Sequence, residues 1–401
     1  MGELNFLDPD FLADPYPVYH RLRAEDPVHR HPFGFYVLTR YDDVAAFLRD
    51  ARFGKGGYQA LIQSRFGAGP DGPRLALSML FRDPPDHTRL RALVSKAFTP
   101  RVVETLRGHI QGIVDRLLER VADAPRMEVI EDLAYPLPVT VISELLGVPV
   151  GDGDTVKGWS RDVARALDAI ALPVGPDVIE RGRRAMDEMT GYFRDLIGER
   201  RRRPGADLLS GLVEAEEAGD RLTERELLAT CVLLYVAGHE TTVNLIGNGL
   251  LALLRHPEER RRLQDDPGLL SAAIEELLRY DGPVQRTGRM AACDTEIGGV
   301  PIPAGSLVLG LLGAANRDPS RFTEPDRLDL GRAEPRHLAF GSGIHYCLGA
   351  PLARLEGQVA IGTVLRRFPA LALAVERPTW RPSSTLRGLE ALPVVLGLTR
   401  A

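Results

Sequence analysis

Cysteine is scarce in this chain: Cys231, Cys293 and Cys347 are the only three in 401 residues. An odd, scattered set excludes a disulfide framework and fits a reducing compartment. It is also too few for an iron–sulfur cluster held by four thiolates. A zinc site needs three or four well-placed ligands, and a lone His345-x-Cys347 pair does not supply them. Long hydrophobic runs are missing as well. No stretch reaches about 18 uninterrupted apolar residues, so no membrane span is expected. Met1 to Tyr19 is rich in Asp and Pro and lacks the basic-then-apolar profile of a signal peptide. These absences point to the cytoplasm. There is no basic excess either: 50 Lys and Arg face 55 Asp and Glu, a net charge of −5, which argues against a nucleic-acid binder. The one dense run, Glu199 to Arg203, reads as a charged helix end.

What is present is a chain long enough to enclose a bulky ligand. Residues 35–40 read as a strand and 42–50 as a short helix that Asp42 can cap. Residues 54–82, with many Gly and Pro, read as a long loop, and such loops are often functional. From about Asp86 to Gly282 apolar residues recur at helical spacing, notably over 102–121, 138–146 and 184–200, and prolines punctuate the run. Strand-and-turn chemistry returns over 293–310. A last helix is expected at about 348–367, with strand-like pieces at 369–375 and 385–396. The class is therefore mainly α with small β-sheets, β-rich at about 1–60 and 290–320 and helical elsewhere.

Three segments carry chemistry. The first is Phe340-Gly341-Ser342-Gly343-Ile344-His345-Tyr346-Cys347-Leu348-Gly349, two glycines ahead of a cysteine that opens a helix. Glycine lets a backbone approach a flat ligand closely. A helix N-terminus presents free N–H groups that stabilise a thiolate. An isolated Gly-x-x-x-Cys is most often a buried structural cysteine, so the full stretch matters. The second segment interrupts an otherwise apolar helix. Thr223-Glu224-Arg225-Glu226 has the form of a capping box, and the helix it opens can run to Arg255. Ala237-Gly238-His239-Glu240-Thr241-Thr242 sits in its middle. A helical glycine costs about 1 kcal/mol relative to alanine, and a buried acid costs more unless it is paired. Local rules broken in a core segment mark a functional site. The third is Glu276 with Arg279, three apart on one helical face, a spacing that alone gives a surface ion pair worth under about 1 kcal/mol.

Taken together, these segments resemble the signatures of the cytochrome P450 family, and the resemblance spans essentially the whole chain. It implies that family's fold, a triangular helical prism around haem, as one domain over residues 1–401 with no fused reductase. Cys347 is implied as the axial ligand to the iron of haem b, within a loop that includes Phe340, Gly341 and Gly349. The propionates are assigned to His87, Arg91, Arg289 and His345, with Arg286 close enough to Arg289 to compete for that role. Gly238 is expected to leave room for dioxygen, Thr241 to hydrogen-bond it, and Glu240 to feed protons. Glu276 and Arg279 become a structural pair whose third member is Arg327, with Arg332 as the other candidate. Leu328 stands where the family often has Phe. Leu233, Ala237, Val284 and Leu386 are candidate substrate walls, along with the 60–82 loop and the small, apolar 168–182 segment, read as a lid.

The implied function is a haem-thiolate monooxygenase, in the style of actinobacterial-type members that tailor secondary metabolites. It would hydroxylate or epoxidise a hydrophobic small molecule using dioxygen and two electrons. Those electrons would come from a separate ferredoxin or flavodoxin with its reductase, docking near Arg89, Lys96 and Arg354. A monomer is expected. Two other readings stay open: a peroxygenase or other haem-thiolate enzyme, and a non-catalytic haem-binding protein.

Overall fold

The computed structural model describes residues 4–66, 74–217, 222–333 and 336–397. Its axis is the helix Glu224–Arg255. The capping box is formed in both directions: Thr223 Oγ1 accepts from the Glu226 amide, and Glu226 accepts from the Thr223 amide. That satisfies orphan donors at the start of the helix. Most of its residues are buried, because the helices Pro136–Leu145, Pro176–Arg202, Leu270–Asp281 and Ala350–Arg367 pack around it. The largest apolar cluster of the molecule forms at these contacts.

The strands are β1 (Val28–Arg30), β2 (Tyr36–Leu38), β3 (Phe53–Gly54), β4 (Arg126–Glu128), β5 (Arg286–Ala291), β6 (Thr295–Ile297), β7 (Val300–Ile302), β8 (Leu307–Leu311), β9 (Ala372–Leu373) and β10 (Pro393–Val395). The main sheet has the order β1-β2-β8-β5-β3, and only β2 and β8 pair in parallel. It joins residues 28–54 to 286–311 and so brings β5 to the edge of the helical body. A smaller sheet, β4-β10-β9, closes the C-terminal part. The chain is mainly α with small sheets, as its sequence indicates.

Two local expectations change. The helix read at 42–50 is Tyr41–Phe47, and Asp42 does not cap it. The Tyr41 amide donates instead to Asp318 Oδ2 at 2.7 Å, a cap supplied from 277 residues away. The 54–82 stretch is not one loop. It contains the helix Tyr58–Phe66 and 3-10 turns at Arg74–Leu77 and Met79–Phe81, while residues 67–73 lie outside the described residues. Its glycines and prolines flank a short run of good helix formers.

Candidate active site

A cavity lies between the central helix, β5, the turn at 384–386 and the loop that carries Cys347. The loop is shaped by its glycines. Gly341 and Gly343 have φ of +70° and +72°, a region that other residues avoid. A side chain on Gly343 would collide with the Leu48 carbonyl. The Cys347 amide donates to Phe340 O at 2.9 Å, closing the loop on itself. Cys347 lines the cavity and stands three residues ahead of the helix Ala350–Arg367. Burial pushes its thiol pKa up. The amides of Gly349 and Ala350 and the charges of Arg91 and Arg354 pull it the other way. A bound cation would complete that balance in favour of the thiolate.

Beside the loop is a cluster of bases without acids to match. His87 and His345 are 4.3 Å apart, and the buried Nε2 of each has no hydrogen-bond partner among the described residues. Burial lowers the His345 pKa to about 2, helped by Arg289, Lys55, His87 and Arg91. Arg289 is buried, and among the described residues it bonds only the neighbouring Gly288 carbonyl, at 3.2 Å. Arg91 donates to Tyr346 O at 2.7 Å. The structure thus gathers His87, Arg91, Arg289 and His345 along one wall. It also separates Arg289 from Arg286, whose NH2 is committed to Asp168 at 2.8 Å. Such a wall suits an anionic group, and a flat dicarboxylate with a metal facing Cys347 fits this donor set.

On the central helix, Ala237, Gly238, Glu240 and Thr241 all reach the cavity. Thr241 Oγ1 donates back to Ala237 O at 3.2 Å. Glu240 Oε2 accepts from Arg381 at 2.9 Å, and Oε1 lies 3.6 Å from His239 Nε2 with no hydrogen bond among the described residues. Burial pushes this carboxyl pKa up, but His239, Arg381 and Arg161 outweigh it and hold the group below its ordinary value. His239 Nδ1 lies 2.7 Å from Tyr235 O, and its Nε2 lies between Ser160 Oγ at 3.0 Å and Glu240 Oε1 at 3.6 Å. Gly238 is packed closely on its cavity side. It lines the cavity, and a Cβ there would lie 2.8 Å from the Ile142 side chain, which lines the same cavity.

Three further corrections concern charges. The third partner of Glu276 is Arg332 and not Arg327: Arg332 Nε lies 3.2 Å from both Glu276 oxygens. Arg327 turns its exposed side chain to Glu324, and its carbonyl accepts from Arg279 and Arg332. The 168–182 segment is not a loose apolar lid at its start. Buried Asp168 accepts from Arg286, from the Ser384 and Thr385 hydroxyls and from both their amides. Of the cations expected at a docking surface, Lys96 is exposed, but Arg89 is held by Glu226 and Arg354 by Glu275. The proposed walls Leu233, Ala237, Val284 and Leu386 do line the cavity, and Val284 pairs with Leu386 across an isolated bridge.

Two residues escaped the sequence reading. Lys55 lies buried beside the unmatched bases, with no motif around it. Glu356, nine residues past Cys347, is fully buried, and neither carboxyl oxygen has a hydrogen-bond partner among the described residues. Burial pushes its pKa up to about 8, with Thr242 opposing slightly. An acid at a core position of a helix is the only sequence signal it gives.

The family model for cytochrome P450 matches residues 32–267 and 268–384. The cytochrome P450 monooxygenase PikC of Streptomyces venezuelae is 46% identical over 402 residues, covering 98% of this chain and 93% of PikC. The vitamin D(3) 25-hydroxylase of Pseudonocardia autotrophica is 44% identical, covering 96% of this chain and 95% of that enzyme. Among solved structures, the myxobacterial cytochrome P450 CYP267B1 in complex with myristic acid superimposes with a TM-score of 0.92 at 43% identity, covering 98% of this chain and 99% of the other.

Proposed function

The chain belongs to the cytochrome P450 family and is a haem b-dependent P450 monooxygenase, and on that premise we propose that it hydroxylates or epoxidises a hydrophobic small molecule of secondary metabolism with electrons from a separate ferredoxin or flavodoxin. When bound, thiolate-ligated haem supplies dioxygen activation and insertion of one oxygen atom into the substrate.

Each residue has an assigned task in this reading. Cys347 is the iron ligand. His87, Arg91, Arg289 and His345 hold the propionate edge. Thr241 presents a hydroxyl on the cavity side of the central helix. Glu240, kept ionised behind it, passes protons inward from the Arg381 side. Glu356, kept protonated on the far side of the same helix near Thr242, is a second proton store. Leu233, Ala237, Val284 and Leu386 select by shape. A mainly apolar pocket with few polar groups suits a lipophilic substrate, and the relatives act on or hold such molecules: vitamin D(3) in one, myristic acid in another.

The observation that carries the reading is the pairing, in one cavity, of a cysteine at a helix mouth with an acid–hydroxyl pair on the central helix. Glu240 beside Thr241 favours dioxygen chemistry over a peroxide-only enzyme. The test is turnover of compounds that move the haem from low to high spin. Product made with ferredoxin, its reductase and NADPH supports the proposal. Product made only with added peroxide replaces it with a peroxygenase.

A further inference from the structure

His239 is a base beside the acid–hydroxyl pair of the central helix, with no part in the proton route described so far. None of its surface is exposed. Its Nδ1 lies 2.7 Å from Tyr235 O. A backbone carbonyl can only accept, so Nδ1 carries the ring hydrogen and Nε2 is the open position. Two groups compete for that nitrogen. Ser160 Oγ, from the helix Gly153–Ala166, lies at 3.0 Å, and Glu240 Oε1 lies at 3.6 Å. The first distance is a hydrogen bond and the second is not. Ser160 is itself fully buried, and Glu240 Oε1 has no hydrogen bond among the described residues. A buried carboxylate oxygen left in this state is costly.

The surroundings decide what the competition controls. Arg381 and Arg161 act on Glu240, and Tyr135 and Tyr235 pack edge-on to the His239 ring at 5.7 and 5.3 Å. Arg381 holds Glu240 Oε2, so Oε1 is the carboxylate atom left for the imidazole. With Ser160 donating to Nε2, the ring stays neutral. With Ser160 withdrawn, a shift of about 0.5 Å brings Nε2 and Oε1 to hydrogen-bond length. Nε2 then binds a proton against the carboxylate, and the buried acid gains a second cation.

We propose that His239 is a positioning residue for proton delivery: its Nε2 shares a proton with Glu240 Oε1, and Ser160 competes for the same nitrogen. The inference rests on the monooxygenase reading and deepens it. In the loaded pair, imidazolium faces carboxylate. The N–H bond at Nε2 breaks as an O–H bond forms on Glu240. Glu240 passes a proton to the Thr241 side, and water reprotonates the imidazole. One proton enters for each one delivered.

The test compares wild type, His239→Gln and Ser160→Ala as haem-loaded protein. One readout is the nitrogen resonance of His239 Nε2 in the reduced carbon monoxide complex of histidine-labelled protein. The other is NADPH consumption with ferredoxin and its reductase, without added substrate, in ordinary and in heavy water. Ser160→Ala should move the Nε2 resonance toward that of a protonated ring and raise NADPH consumption. His239→Gln keeps a hydrogen-bonding group near Ser160 but cannot take up a proton. It should lower consumption about tenfold, less than the ~100-fold of a direct proton donor. Its heavy-water effect should grow while its melting temperature stays put. His239→Asn gives the same answer should the glutamine variant not accumulate. A mere tether between two helices predicts the reverse: glutamine would keep wild-type consumption, and Ser160→Ala would slow it. Either result would overturn the proposal, as would an Nε2 resonance that Ser160→Ala leaves in place. Wild-type protein that consumes no NADPH under these conditions would instead overturn the ferredoxin-driven reading, and the Nε2 resonance would still decide the role of His239.

Discussion

Two buried clusters of charge in this molecule look alike in composition and differ in closure. Around Glu276, every donor is matched. Arg279 gives Nε and NH2 to the Glu276 carboxylate at 2.7 and 2.8 Å, and its remaining N–H groups go to the carbonyls of Asn316, Pro325 and Arg327. Arg332 and the Asp329 amide complete the acid. Around Lys55 and Arg289, cations and bare imidazole nitrogens gather with one acid between them. A closed network of this kind fixes a loop, here the stretch ahead of Phe340. An open one leaves cations whose counter-charge, on the function proposed above, comes from the propionates of haem. Completeness of hydrogen bonding separates a structural ion pair from a cofactor cradle where residue type alone does not.

Breaking the closed cluster should have the largest effect. Arg279→Met strands a buried carboxylate and should cost about 3–5 kcal/mol, read as loss of soluble, haem-loaded protein or a collapse of the denaturant midpoint. Wild-type stability would mean that Arg332 alone satisfies Glu276. Breaking the open cluster should spare the fold. Arg289→Leu should fold but lose haem at least tenfold faster, measured by transfer to apomyoglobin. A fold that fails while haem affinity holds would reverse the distinction. Thr241→Ala touches neither cluster. Haem content and stability should stay put while product per NADPH falls several-fold and peroxide appears. Unaltered coupling would remove Thr241 from proton delivery.

The smallest effect concerns Glu356. Its folded pKa of about 8 lies above its value in the unfolded chain. The unfolded state therefore gives up the proton first as pH rises. Stability is fully kept below about pH 4.5 and declines between there and about pH 8. Glu356→Gln should flatten that slope and raise the melting temperature on the alkaline side. A parallel pH profile in the two proteins would show that the acid is ionised in the fold.

Much of this was legible in the sequence because it is local. The capping box of Thr223 and Glu226, the polar insertion at 237–242 and the Phe340–Gly349 stretch each sit within about ten residues. Short-range geometry then decides the outcome. Apart from the helix Tyr58–Phe66 inside the stretch read as a loop, the misreadings are matters of distant pairing. Arg327 and Arg332 lie on one irregular loop, and only its path shows which guanidinium meets Glu276. Asp168 and Arg286 are 118 residues apart, so an apolar-looking segment conceals a buried ion pair. Lys55 and Glu356 are single residues without a pattern around them, and only their burial in the fold exposes them.

The most direct measurement is the reduced carbon monoxide spectrum of the purified, haem-loaded protein beside that of Cys347→Ala. Wild type should show the strongly red-shifted Soret band that thiolate ligation produces, and the alanine variant should lack it. The same band in both proteins, or its absence from wild type, would mean that the iron is not held by the sulfur of Cys347.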